Sequence, residues 1–206
     1  MKAAIKPGIY LVIDPELDAE KLFPRLEAAL IAGVAAVQVW DNFQTGFAKL
    51  PKVVALCNAH EVPVLINNRV DLLEEYRFDG IHFDVLPEEY GKLKGRYLIG
   101  LTCNNDLDQV KEAQEKGLDY ISFCSVFPSS TANSCDLVTR ETMEEAPKYF
   151  SGPIFLAGGI NPDNIATLKG LDFAGVAVVS GIMGADNPAS AIEHYQSALN
   201  KIQHEN

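Results

Sequence analysis

The sequence predicts one (β/α)8 TIM barrel domain that spans residues 1–206. Eight short and almost continuously apolar runs alternate with amphipathic segments along the chain. Runs of this kind are typical of parallel strands that are buried on both faces. Eight strand and helix units favour closure into a barrel over an open sheet. The open, doubly wound sheet is the alternative, but no G-x-G-x-x-G motif follows the first run to support it.

Each apolar run predicts one strand, and the predicted strands follow one another without a linker or a low-complexity segment. In chain order they are GIYLVID (8–14), VAAVQVW (34–40), VPVLINN (62–68), DGIHFD (79–84), YLIGLT (97–102), DYISFCSVF (119–127), GPIFLAGG (152–159) and FAGVAVVSG (173–181).

Helix signals lie between these runs. A helix is predicted from the residue after Asp18, a suitable N-cap, to Gly33, and another from an aspartate cap to Gly117. The segments 161–170 and 187–203 both open with Asn followed by Pro, which suits an N-cap and the first helical position. Both segments are therefore predicted to be helical.

Composition and charge exclude several classes of function. The net charge is −11, which argues against nucleic acid and anionic membranes as partners because both are bound by clustered Lys and Arg. No apolar stretch approaches the ~20 residues of a membrane span, and no secretory signal is recognisable, so a cytoplasmic location is expected. The four cysteines, Cys57, Cys103, Cys124 and Cys135, form no C-x-x-C pair and are expected to be reduced and mostly buried. Whether the chain forms a homo-oligomer is left open.

Two glycine-bearing strand ends, LAGGI (156–160) and VVSGI (179–183), give the sharpest functional signal. In a barrel of this class the site lies at the carboxyl ends of the strands, and phosphate is often held after the last two. Gly158, Gly159 and Gly181, with the neighbouring Ser180, are predicted to hold a phosphate through backbone N–H groups. The acidic net charge favours backbone groups for this purpose. The alternative is that the glycines only make tight turns.

Neutral amides follow two other strands. Gln38 and Asn67 can make paired hydrogen bonds to a flat heterocycle, or they can tie the barrel layers together. Arg69 and Asp71 are predicted to form an internal ion pair. The expected partner is therefore a small phosphorylated heterocycle.

Three side chains are candidates for catalysis. His82 follows the fourth strand, where a histidine is more often packed than catalytic, and Asp84 lies two residues later. Asp84 is also the one weak candidate for a metal ligand. Cys124 lies at the end of the sixth strand.

Taken together, the motifs QVWDN, INNRVDLL, DGIHFD, IGLTCNN, DYISFCSVFPSST, AGGI and GVAVVSGI resemble, in this order, those of the thiamine-phosphate synthases and the related TenI-like thiazole tautomerases. The resemblance runs from Tyr10 to about Tyr195. It implies a barrel of thiamine biosynthesis that binds substrate through Gln38, Asn67, Thr102, Ser129 and Thr131, with Gly159 and Ser180 on the thiazole phosphate. The family's transferase reaction joins hydroxymethylpyrimidine pyrophosphate to thiazole phosphate and releases pyrophosphate with the help of Mg²⁺, Lys and Arg.

The departures from the family pattern fall on the groups that hold pyrophosphate and its metal. The family's Q-L-R-E-K reads Gln38-Val39-Trp40-Asp41-Asn42 here, so both cations are absent. The aspartate of N-D-R is replaced by Asn68, and a second metal aspartate has only Asp84 as a displaced substitute. The lysine of T-x-T-K is replaced by Ala132. Bound Mg²⁺ is therefore a weak expectation, and synthase activity is doubtful.

Three interpretations stay open. The chain is a synthase with a depleted pyrophosphate site, a related enzyme that acts on thiazole phosphate or another small phosphate ester, or a binding protein without activity. The tautomerase branch has a histidine where this chain has Ser125, which cannot replace it as an acid or base near neutral pH. Trp40 is either a stacking platform for a ligand or a plug in the pyrophosphate site.

Overall fold

Eight parallel strands close one barrel in chain order, with β1 paired to both β2 and β8. The computed structural model describes residues 5–42, 44–128 and 136–203. The strands are β1 (Gly8–Ile13), β2 (Ala36–Val39), β3 (Val64–Asn67), β4 (Gly80–Phe83), β5 (Leu98–Thr102), β6 (Tyr120–Cys124), β7 (Ile154–Ala157) and β8 (Gly175–Val178). The predicted (β/α)8 barrel is confirmed.

Helices connect the strands around the outside. They are α1 (Ala19–Ala32), α2 (Leu50–Ala59), α3 (Leu72–Tyr76), α4 (Leu107–Glu115), α5 (Arg140–Glu145), α6 (Ser180–Met183) and α7 (Pro188–Gln203), with 3-10 turns at Gly46–Lys49, Glu88–Leu93, Ala146–Lys148 and Ile165–Leu168. Over the described ranges, no helix has the length and apolar character needed to cross a bilayer.

Three of the four predicted helix starts are right and one is wrong. Asp18 precedes α1, although its side chain caps no N–H, whereas Asp106 caps α4 by accepting from the N–H of Asp108 at 2.9 Å. Asn187 likewise accepts from the N–H of Ser190 at 3.1 Å. The helix predicted over 161–170 is wrong: Asn161 accepts from the N–H groups of Asp163 and Asn164 as an N-cap does, but only Ile165–Leu168 is helical, as a 3-10 turn that ends where Lys169 adopts an extended ψ of 136°.

The strands are shorter than the apolar runs that predicted them. The sixth run extends to residue 127 but β6 ends at Cys124, and the eighth extends to 181 but β8 ends at Val178. Beyond these points the chain leaves the strand ladder. In the eighth run, Ser180 and Gly181 already belong to α6.

Strand alternation divides the apolar residues into two cores. Outward residues such as Leu11, Val37 and Ile121 pack under the helices, while a smaller cluster inside the barrel contains Tyr10, Leu65, Leu98, Tyr120 and Phe155. A glycine makes room for the largest inward ring, since a Cβ on Gly100 would overlap the ring of Tyr120. The polar inward residues lie one step further along the strands, at the carboxyl end.

Candidate functional site

A cavity of about 460 Å³ opens at the carboxyl ends of the strands. One side is formed by inward side chains of the first six strands, which we call the side-chain half: Tyr10, Gln38, Asn67, His82, Thr102, Tyr120 and Ser122. The other side follows β7 and β8, and we call its small residues the glycine half: Gly158, Gly159, Ser180 and Gly181.

The structure brings the described site residues of the sequence analysis to this one cavity. Gln38, Asn67, His82, Asp84, Thr102 and Cys124 line it together with the four residues of the glycine half. Trp40 also lines it, from the residue after β2. Ser129 and Thr131, and with them Ala132 and Cys135, lie outside the described residues.

Two amides of the side-chain half are bonded to each other. Gln38 Nε2 donates to Asn67 Oδ1 at 2.7 Å, and Tyr10 OH donates to Gln38 Oε1 at 2.9 Å. Asn67 Nδ2 in turn donates to Asp84 Oδ2 at 3.2 Å. Both amides therefore tie the barrel interior together while they line the cavity.

His82 is buried and hydrogen-bonded through both ring nitrogens. Its Nδ1 lies 2.9 Å from Tyr120 OH and its Nε2 lies 2.8 Å from Thr102 Oγ1. Burial lowers the pKa of His82 to about 4, because a charged imidazolium would lose its hydration, and the charge of Asp84 offsets only part of this effect. Near neutral pH the ring is uncharged.

The rim beside β3 and β4 carries carboxylates that are linked by an asparagine. Asn68 Nδ2 donates to Asp41 Oδ2 at 2.8 Å and to Asp84 Oδ2 at 2.7 Å. Asn68 Oδ1 accepts from the Asp84 N–H at 3.0 Å, so the side-chain oxygen of Asn68 is already engaged. Across the described ranges, no cluster of three His, Cys, Asp or Glu side chains is close enough to hold a metal ion.

In the glycine half, glycine is favoured both by the backbone conformation and by the lack of space for a side chain. Gly158 and Gly159 have φ of +91° and +64°, in the region that favours glycine. A Cβ on Gly159 would lie 2.6 Å from the carbonyl oxygen of Pro128, and one on Gly181 would overlap the hydroxyl of Tyr195. Tight turns and close approach are thus both present.

Several backbone N–H groups of the glycine half have no backbone acceptor among the residues that the structure describes. Within the described part of the chain, those of Gly159, Ser180 and Gly181 donate no backbone hydrogen bond. Ser180 and Gly181 open α6, where the first N–H groups have no acceptor in their own helix.

The cavity has little charge of its own. No lysine or arginine is present among its described lining residues, and Asp84 is the one formally charged side chain there near neutral pH. Arg69 lies outside the lining and forms the predicted ion pair with Asp71, at 2.5 Å. An anion in this cavity would meet dipoles and N–H groups rather than cations.

The cysteines and Ser125 have little to suggest a catalytic role. Cys124 is half-buried at the end of β6. Ser125, where the resemblance would place the tautomerase histidine, is buried and donates its hydroxyl to the carbonyl oxygen of Phe127 at 2.7 Å. Cys57 and Cys103 are buried away from the cavity, and burial raises the pKa of each thiol to about 12.

Sequence reasoning missed Tyr10, Tyr120 and Ser122. Both tyrosines are part of apolar runs and were interpreted only as strand residues. The alternation of the strands was the available signal, because Tyr10 and Tyr120 have the inward parity of their strands. Burial raises the pKa of both phenols well above the usual value, so both keep their protons.

Comparison with curated proteins gives relatives over nearly the whole chain. A thiamine-phosphate synthase of Thermoplasma acidophilum is 32% identical over 197 residues, which cover 93% of this chain and 92% of the relative. Thiamine-phosphate synthase 1 of Aquifex aeolicus is 35% identical over 198 residues, with 92% of each chain covered.

Comparison with solved structures supports the fold. A thiamine phosphate pyrophosphorylase from Pyrococcus furiosus superposes with a TM-score of 0.81 at 24% identity, and the match covers 96% of this chain and 98% of that one. At this level of identity the match shows the barrel alone. The family model described as thiamine monophosphate synthase matches residues 9–182, which include seven of the strands and most of β1. The chain therefore belongs to the thiamine monophosphate synthase family.

Proposed function

We propose that the chain binds thiazole phosphate or thiamine phosphate at the carboxyl end of the barrel and that its pyrophosphate clamp is degenerate. The observation that carries the proposal is the division of one cavity into two unlike halves. The glycine half presents to a phosphate N–H groups that lack a backbone acceptor among the described residues, and the side-chain half presents neutral amides to a ring. The relatives named thiamine-phosphate synthases support this ligand class.

The proposed roles follow from position. Gly158, Gly159, Ser180 and Gly181 hold the phosphate. Gln38, Asn67 and Thr102 border the heterocycle, and Trp40 offers it an indole surface on which to stack. Ser129 and Thr131, outside the described residues, are proposed to contact the substrate.

The residues present do not fit the family's metal site. A pyrophosphate leaving group needs its charge neutralised, and each lost charge-assisted contact is worth about 1.5–3 kcal/mol. At the place of a metal aspartate, Asn68 has its side-chain oxygen engaged and turns its amide nitrogen to both rim carboxylates. We therefore propose that turnover of the pyrophosphate substrate is slow or absent.

Titration calorimetry tests this proposal. Thiamine phosphate and thiazole phosphate are titrated with and without Mg²⁺, and synthase turnover is then measured beside the Aquifex aeolicus relative. We expect binding that Mg²⁺ does not change and turnover at least 100-fold below that of the relative. Equal, Mg²⁺-dependent turnover would refute the degenerate clamp, and absence of binding would refute the ligand class.

Restoring the clamp is the reciprocal experiment. The triple variant Trp40→Arg, Asn42→Lys and Asn68→Asp introduces two cations and a third rim carboxylate beside Asp41 and Asp84. We expect Mg²⁺-dependent binding of pyrophosphate to rise by about tenfold or more. Asn68→Asp alone is the matched control, since it adds a metal ligand without cations. No gain in the triple variant would contradict the alignment of these positions with the family motif.

A further inference from the structure

A chain of hydrogen bonds starts from an acceptor-only group at the rim. The carboxylate of Asp84 can only accept, so the amide nitrogen of Asn67 must face it and the oxygen of Asn67 must face inward. That oxygen accepts from Gln38 Nε2, which turns Gln38 Oε1 towards Tyr10. Tyr10 OH donates to Gln38 Oε1 at 2.9 Å. The first three bonds therefore have one possible direction.

The first three bonds determine which atom donates in the next two hydrogen bonds. Tyr10 has one proton, and that proton is used on Gln38. The oxygens of Tyr10 and Tyr120 lie 2.8 Å apart, so the proton between them must come from Tyr120. With its own proton used, Tyr120 can only accept from His82 Nδ1, at 2.9 Å. If Tyr120 donated to His82 Nδ1 instead, no proton would lie between the hydroxyl oxygens of Tyr10 and Tyr120, and their lone pairs would face each other at 2.8 Å.

The chain ends on two hydroxyls. If Nδ1 of the uncharged His82 ring carries the proton, Nε2 is an acceptor and Thr102 Oγ1 must donate to it at 2.8 Å. Ser122 Oγ lies 3.3 Å from Thr102 Oγ1 and completes the chain. In the described part of the molecule, every buried side-chain nitrogen and oxygen has a hydrogen-bond partner.

We propose that Tyr10, Tyr120 and His82 are positioning residues that transmit a single hydrogen-bond direction from Asp84 to Thr102 and hold His82 as the Nδ1–H tautomer. Both ring nitrogens of His82 are then committed inside the barrel, so His82 exchanges no proton with a ligand. Its influence on the cavity is indirect. The hydroxyl of Thr102 can only accept from a ligand, whereas Gln38 keeps one amide hydrogen to donate.

This inference concerns the free protein and does not depend on the proposed ligand. Its test is the tautomer of His82 in the full chain, measured near neutral pH by long-range ¹H–¹⁵N correlation spectra with labelled histidine. The sequence has four histidines, and the His82 signals are assigned by their loss in His82→Gln. We expect the wild-type spectrum to show Nδ1–H. A wild-type ring that is mainly Nε2–H overturns the proposal without any variant.

Tyr10→Phe gives a second, directional test. Without the phenol of Tyr10, Tyr120 has no acceptor unless it donates to His82 Nδ1, which moves the ring proton to Nε2. We expect the ratio of Nε2–H to Nδ1–H to rise by about fivefold or more, the equivalent of one recovered hydrogen bond.

The matched control is Tyr195→Phe, which removes a buried phenol that donates to the carbonyl oxygen of Ile160, outside the chain of bonds. It should leave the His82 tautomer unchanged. An unchanged ratio in Tyr10→Phe, or an equal change in Tyr195→Phe, would overturn the proposal.

Discussion

The two halves of the cavity lie at the ends of different strands and differ in how their polar groups are hydrogen-bonded. In the side-chain half, each polar group is bonded to another group of the protein, along the chain that runs from Asn67, bonded to Asp84 at the rim, through Gln38 to Thr102. In the glycine half, N–H groups of Gly159 and Ser180 are left without a backbone acceptor within the described residues. The comparison shows that side chains hold one another in place in the first half, whereas the second half presents backbone N–H groups, which is the basis of the phosphate site that we propose there.

The largest expected effect comes from a charge placed in the glycine half. Ser180→Asp puts a carboxylate at the exposed start of α6, where the proposed phosphate would bind. Repulsion between like charges at about 4 Å amounts to several kcal/mol at the effective dielectric of a protein surface. We expect calorimetry to show binding of thiamine phosphate weakened by roughly 100-fold or more.

Ser180→Ala is the control, because it removes the hydroxyl and keeps every N–H group. It should weaken binding by no more than about tenfold. If the aspartate variant bound as tightly as the alanine variant, the phosphate would not lie in the glycine half.

The glycine half was the more predictable half, because its signal is local. Gly158 and Gly159 follow an apolar run directly, and a positive φ at such a position is a requirement that the sequence displays at the residue itself. The packing reason was not visible. That Gly181 faces Tyr195 depends on how α7 lies against α6, which no local pattern records.

The side-chain half could be predicted only in part. Gln38, Asn67 and His82 were found because polar residues stand out at the ends of apolar runs. Tyr10 and Tyr120 lie 110 positions apart, and their hydroxyls meet only because the barrel closes with a particular register. Bonds of this range depend on tertiary packing, so the sequence could not give the chain of bonds. The helix predicted over 161–170 fails for a local reason: Asn161 caps the turn as an N-cap does, but the backbone becomes extended at Lys169, so only the 3-10 turn Ile165–Leu168 forms.

The second largest effect is a pH dependence of stability that comes from His82 in the side-chain half. The folded pKa of His82, about 4, lies below the model-peptide value of about 6.5, so the unfolded chain binds this proton first as the pH falls. The contribution of His82 to stability is therefore present above pH 6.5 and is lost as the pH falls towards 4. It amounts to about 2–3 kcal/mol between pH 7 and pH 4.5.

Urea unfolding of wild type and His82→Gln at both pH values measures this contribution. The variant lacks the titrating ring but keeps all the carboxylates, so its free energy of unfolding should fall less on acidification. The contribution of His82 is the difference between the decreases in free energy of unfolding of wild type and variant from pH 7 to pH 4.5. Equal falls would show that the ring is not held uncharged by burial.

The smallest expected effect tests how tightly the side-chain half is packed. Gly100 pairs with His82 in the β4–β5 register, and a Cβ there would overlap the ring of Tyr120. Gly100→Ala should therefore lower the free energy of unfolding by about 1–3 kcal/mol, because the ring must shift in a closed interior. Gly91→Ala is the control, since a Cβ there meets nothing within 4 Å, and its effect should stay within about 0.5 kcal/mol. If Gly100→Ala were as stable as Gly91→Ala, Tyr120 would have room to move. That result would contradict the interpretation that the side-chain half is tightly packed.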